Sequence, residues 1–116
     1  MTIRRINPGP RFSGAVVHGD TVYVAGQTAS DRSAGPRAQT EQVLQKIDGL
    51  LQAAGTDKSR LLAATVYLSD IRHFDEMNAA WEAWADQENL PTRATVEARL
   101  AAPQLLVEIV VTAALQ

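Results

Sequence analysis

Two side chains in this 116-residue chain stand where their chemistry needs an explanation. Glu108 lies inside the apolar run Leu105-Leu106-Val107-Glu108-Ile109-Val110-Val111, and Arg93 lies in the preceding segment Pro91-Thr92-Arg93-Ala94-Thr95. A carboxylate taken out of water must find a cation and hydrogen-bond donors or take up a proton, so a Glu in a core strand asks for a partner. Arg93 is the first candidate, because a guanidinium offers parallel N–H donors that match a carboxylate. The pair supports two readings. In one, Arg93 and Glu108 form a buried ion pair that fixes strand register. In the other, Arg93 anchors the carboxylate of a small acid, and Glu108 orients or deprotonates a water molecule. Spacing alone leaves both open.

Other chemistries lack their residues. The chain has no cysteine, and its two histidines, His18 and His73, lie far apart in sequence and read as surface positions, so no metal centre is expected. It contains no glycine-rich phosphate loop and no Gly-x-Ser-x-Gly. Eleven basic and 13 acidic residues give a formal charge of −2, and the signs alternate without forming a basic stripe. That distribution argues against nucleic acid or an anionic membrane as partner. No apolar run approaches the roughly 18 residues of a membrane span, and no apolar stretch follows the charged N-terminus, so a soluble, cytoplasmic protein is expected. Any chemistry then uses one Arg, one Glu, backbone groups and water.

The elements that must position these residues read as one domain over residues 1–116. Ser13–His18 and Thr21–Gly26 flank Gly19-Asp20 and predict a hairpin, with Thr2–Ile6 as an extra edge strand. The Gly26-Gln27 step reads as turn chemistry, with a close approach of backbone to ligand as the alternative, and Gln27–Pro36 reads as a loop. Val43, Ile47, Leu50, Leu51 and Ala54 fall at helical spacing between Pro36 and Gly55. Leu61–Leu68 predicts an internal strand. Ser69 or Asp70 caps a second helix whose stripe Phe74, Met77, Trp81 and Trp84 reads as core, with a stop at Asn89-Leu90-Pro91. Two last strands, about 92–100 and 105–114, are expected to pair as a hairpin across Ala101-Ala102-Pro103-Gln104. The order ββαβαββ with the edge strand predicts an α+β fold, a mixed six-stranded sheet with two helices on one face. The last strand is largely apolar on both faces, which suggests that a second copy of the chain closes the other side of the sheet.

The run Pro91-Thr92-Arg93-Ala94-Thr95-Val96, then Leu100, then Val107-Glu108-Ile109 resembles the signature of the Rid family, the reactive intermediate deaminases, also known as the YjgF family. Phe12-Ser13-Gly14-Ala15-Val16, Val22-Tyr23-Val24-Ala25-Gly26-Gln27, Leu50–Gly55 and Thr65–Asp70 with Phe74, Met77 and Asn78 follow in family order, so the resemblance spans nearly the whole chain. It implies a chorismate-mutase-like fold assembled as a homotrimer with ligand sites between subunits, and it implies no metal or organic cofactor. The implied activity is hydrolysis of enamines and imines such as 2-aminoacrylate and 2-iminopropionate to the keto acid and ammonia. Arg93 would hold the substrate carboxylate, the backbone at Thr95 would receive the imine nitrogen's hydrogen bond, and Glu108 would position water. Phe12, Ala25 and Gly26 would line the cleft. Many deaminating members carry Tyr, Ser and Cys where this chain has Phe12, Ala25 and Thr95, which leaves the cleft less polar and suits larger apolar imines. The same resemblance admits a non-catalytic, metabolite-binding trimer. It also admits the ribonuclease or translation-inhibitor role attached to some members, against which the acidic balance speaks.

Overall fold

In the computed structural model, which describes residues 2–116, six segments of alternating or continuous apolar character become strands. They are β1 (Ile3–Pro8), β2 (Ser13–His18), β3 (Thr21–Gln27), β4 (Leu61–Leu68), β5 (Thr92–Glu97) and β6 (Val107–Ala114). Of the two helices, α1 (Pro36–Ala54) is followed by a short 3-10 turn at Lys58–Arg60, and α2 (Phe74–Trp84) is preceded by one at Ile71–His73. All six strands join one mixed sheet in the order β1-β2-β3-β6-β4-β5, antiparallel throughout except for the parallel pair β4–β5.

Pro36 opens α1, where its missing N–H would have had no helical partner in any case. Gly55 closes it at φ 95°, the left-handed conformation in which its N–H reaches the Gln52 carbonyl and that of Thr56 reaches Leu51. Between these ends Val43, Ile47 and Leu51 are wholly buried against Val107, Ile109 and Val111 of β6, which makes the β6–α1 contact the centre of the core. Removing a buried side chain such as Ile109 to Ala would cost about 2–5 kcal/mol.

The expected hairpin of the last two strands does not form. β6 inserts between β3 and β4, and β5 goes to the sheet edge, parallel to β4, by the α2 crossover. The physical reason lies in β6 itself: a strand apolar on both faces is best stabilised with neighbours along both edges, and a hairpin would have put it at the rim. Residues 98–106 therefore form a long connection that spans β4, tied down by Ala98 N–H to Leu68 O at 2.9 Å and Ser69 N–H to Leu106 O at 3.1 Å. β5 ends at Glu97 and β6 begins at Val107, both inside the expected bounds.

Smaller differences have equally local causes. β1 runs to Pro8, Gln27 belongs to β3, and Pro36 is already helical. Asp70 caps the 3-10 turn by accepting from Arg72 N–H, so α2 starts only at Phe74, and it ends at Trp84, well before Pro91. Of its expected core stripe, Met77 and Trp81 are buried, whereas Phe74 is exposed and Trp84 half-buried, with the Trp84 indole N–H donating to Asp48 at 2.9 Å. His18 is exposed as expected, but His73 is half-buried, its Nδ1 enclosed without a partner among the described residues. Among the described residues, no helix is long and apolar enough to cross a membrane.

Candidate functional site

β6 alternates strictly: Val107, Ile109, Val111 and Ala113 are buried beneath the helices, and Glu108, Val110, Thr112 and Ala114 look out, half-buried, from the opposite face. Glu108 is therefore no core residue; period two places it on the outer face. Opposite it, β3 is interrupted. Val24 pairs with Val111 and Gln27 with Ile109, so three steps on β3 face two on β6, and the bulge falls on Ala25-Gly26. The Gln27 side-chain amide donates to the Ala25 carbonyl at 2.9 Å, which holds the bulged backbone.

Gly26 sits in this bulge without a positive φ, so its backbone does not require glycine. Space does. A Cβ at Gly26 would meet the Glu108 carboxylate, coming within 3.0 Å of its Cδ and closer still to Oε2. The step is thus a bulge within β3, where a turn was expected, and the group that approaches its backbone is the chain's own Glu108 carboxylate. Around it lies a cleft of about 410 Å³ lined by Phe12, Ala25, Gly26, Thr28, Arg32, Ala101, Leu105 and Glu108. Four residues singled out in the sequence thus meet here: Phe12 at the exposed tip of the β1–β2 connection, Ala25 and Gly26 in the bulge, and Glu108 across from them.

Arg93 and Thr95 lie elsewhere. The row Glu108–Tyr67–Val96 runs across β6, β4 and β5 on the outer face. Arg93 is three residues from Val96, an odd number, so it projects on the helix side, in register with buried Ala64 and Val111. The two candidates are on opposite faces and two strands apart, about 10 Å across the strands alone. The ion pair between them is not made; the two ion pairs among the described residues, Arg37–Glu41 and Asp70–Arg72, involve neither.

On its own face the Arg93 guanidinium stacks 5.3 Å from the Trp81 ring and 5.9 Å from that of Phe74, and its Nη1 lies 3.8 Å from Met77 Sδ. Burial pulls its pKa below the ordinary arginine value, an effect opposed by the charge of Glu82. Next along the same face, the Thr95 hydroxyl is buried without a partner among the described residues. A cation that has lost water without gaining a carboxylate, beside an unpaired hydroxyl, is a half-site suited to a small anion. One chain thus carries these groups on separate surfaces: a carboxylate in a cleft, and an arginine with a hydroxyl near the free edge of β5.

Arg32 was not visible as a site residue, because the turn-forming composition of 27–36 announces a loop without saying what the loop faces. α1 fixes that loop over the cleft: Lys46 Nζ donates to Thr28 O at 2.7 Å, and Gln42 Oε1 accepts from Asp31 N–H at 3.0 Å.

A family model described as endoribonuclease L-PSP matches residues 2–115. A RutC family protein of Haemophilus ducreyi is 48% identical over 113 residues, covering 97% of both chains. A RutC family protein of Escherichia coli is 40% identical over 114 residues, or 98% of this chain and 99% of that one. Among solved structures, a member of the YjgF protein family from Neisseria meningitidis matches with a TM-score of 0.95 at 39% identity, covering 100% of this chain and 97% of the other. An uncharacterised protein from Pseudomonas aeruginosa matches with a TM-score of 0.96 at 36% identity, over 99% and 100%.

Proposed function

The chain belongs to the endoribonuclease L-PSP family, that of the RutC and YjgF proteins also known as Rid, and from that premise we propose that it hydrolyses small imines and enamines of 2-keto acids. The observation that carries this reading is Glu108, a carboxylate seated against Gly26 in a cleft and paired with no cation among the described residues. A carboxylate so held is free to act on water.

In the proposed site, Arg93 of a neighbouring copy binds the substrate carboxylate and the backbone at its Thr95 meets the imine nitrogen. Glu108 removes a proton from water as the oxygen adds to the imine carbon, giving a carbinolamine. That proton passes to nitrogen; the remaining hydroxyl proton then moves to nitrogen by way of Glu108 as the carbonyl forms and the carbon–nitrogen bond breaks, and ammonia leaves with the keto acid behind. An enamine first takes a proton at its terminal carbon to become the imine. Imines are already reactive toward water, so positioning and charge stabilisation suffice, and no metal or organic cofactor enters the scheme. Phe12 and Ala25, without hydroxyls, leave the cleft suited to imines with apolar side chains.

The test generates 2-iminopropionate from alanine with an amino acid oxidase and follows keto-acid release. Glu108→Gln is expected to lower kcat about 100-fold or more. Arg93→Ala is expected to lower kcat/KM roughly 10- to 100-fold through loss of a charged hydrogen bond. Release no faster than with either variant would overturn the reading. Ligand titration without turnover across an imine panel would turn it toward a binding module, and an RNA digestion assay on the same preparation checks the activity that the family's description names.

A further inference from the structure

Gln39 is a polar residue in the apolar stripe of α1, one turn before Val43, and it is wholly buried. Burying a primary amide is unfavourable unless its donors and acceptor are all used. Here they are. Nε2 donates to Ala34 O and Gln104 O, each at 3.0 Å, with Arg32 O at 3.4 Å as a longer third contact, and Oε1 accepts from Leu106 N–H at 2.9 Å. Three carbonyls on one side and an N–H on the other fix which end of the amide is which.

The partners belong to two segments distant in sequence, the loop that contains Arg32 and the connection before β6. Both segments line the Glu108 cleft, the first with Thr28 and Arg32 and the second with Ala101 and Leu105, so each supplies one wall. Leu106 is two residues before Glu108, and its own carbonyl accepts from Ser69 N–H, so the chain is held on both sides as it enters β6. Gln42 and Lys46 also hold the first loop, but neither reaches the second wall.

We infer that Gln39 is a positioning residue of the cleft, a buried clamp that sets the separation of its two walls and the entry angle of the strand that carries Glu108. Its catalytic consequence rests on the deaminase reading; its structural consequence does not.

The experiment therefore has separate arms on the full-length protein. In wild type, amide exchange by NMR is expected to show Leu106 N–H protected like a strand amide although it lies outside β6; exchange as fast as an exposed loop overturns the clamp. Gln39→Met keeps the volume and removes the hydrogen bonds. It is expected to speed exchange about 10-fold or more in both 28–35 and 101–106 while Thr21–Val24 in β3 stays unchanged. Equal acceleration everywhere would make Gln39 an ordinary core residue. With 2-iminopropionate, kcat is expected to fall about 10-fold or more with KM moved far less, because the wall and Glu108 shift while the carboxylate anchor does not. Thr56→Val, which removes the buried bond from Thr56 Oγ1 to Ala114 O at the far end of β6, serves as the control and keeps kcat. An equal kcat loss in Thr56→Val would also overturn the proposal. If wild type turns over no imine, the deaminase reading falls alone, and the exchange data still decide the clamp.

Discussion

At the scale of single residues, the position of Glu108 depends on an atom that is missing. Gly26 has ordinary backbone geometry, so adding a methyl group would strain nothing in the chain itself; it would occupy the space of the Glu108 carboxylate. The displaced group is the far end of a flexible side chain with solvent beside it, and the fold can yield there at little cost. Gly26→Ala is therefore expected to change stability by less than about 1 kcal/mol, within the range of surface substitutions. Imine hydrolysis by the same variant is expected to fall about 10-fold or more, since the carboxylate that aims the water has moved. Urea denaturation beside steady-state kinetics checks the pair of outcomes. A variant with full activity would show that the carboxylate's seat on Gly26 is dispensable. One that unfolds would show that Gly26 serves the backbone after all.

At the scale of elements, the sequence was informative wherever a pattern was local. The β2–β3 hairpin, the limits of α1 at Pro36 and Gly55, and β4 all follow from spacing and turn residues, and all are present. Strand order was not local. The alternation of β5 separates Arg93, Thr95 and Glu97 from Ala94 and Val96 without saying which set meets the helices, and the polar set does. The Arg93–Glu108 pair looked plausible only while β5 and β6 were taken as neighbours; inserting β4 between them and fixing the parity of each strand separates the two. Phe12, Ala25, Gly26 and Glu108 do come together, but only the bulge, which no composition announces, explains how. The turn before α2 carries its own prediction. The side chain of Arg72, and then its backbone N–H, hold the Asp70 carboxyl at about 2, below the ordinary 3.8. A depressed folded value stabilises the turn fully above pH 3.8, and that contribution is lost as pH falls through about 2. Following the Asp70 carboxyl carbon by NMR is expected to give a midpoint near 2 that rises toward 3.8 in Arg72→Ala. A wild-type midpoint at the ordinary value would mean that the Asp70–Arg72 bonds do not persist in solution.

At the scale of the whole molecule, the outer sheet face still lacks a cover. Tyr23 and Val96 are 50% and 43% exposed there, beside half-buried Val110 and Tyr67, and apolar surface in one continuous sheet face is characteristic of an interface. The proposed site takes Glu108 and Arg93 from different surfaces, so one copy has to offer its β5 edge to another copy's cleft, and a closed ring such as the trimer that the resemblance implies satisfies every copy at once. Mixing separates this arrangement from a site contained in one chain. Alone, Arg93→Ala is expected to keep at most about a tenth of wild-type activity and Glu108→Gln about a hundredth or less. Unfolded together in equal amounts and refolded, they form hybrid rings in which some clefts receive an intact Glu108 from one variant and an intact Arg93 from the other. If assembly is random, each requirement is met half the time, so about a quarter of wild-type activity should return. Sedimentation of the same sample should show a single species of trimer mass. Recovery of no activity from a mixture that sediments as a trimer would place Arg93 and Glu108 in separate roles, and a monomer would remove the shared site together with the cover for the outer face.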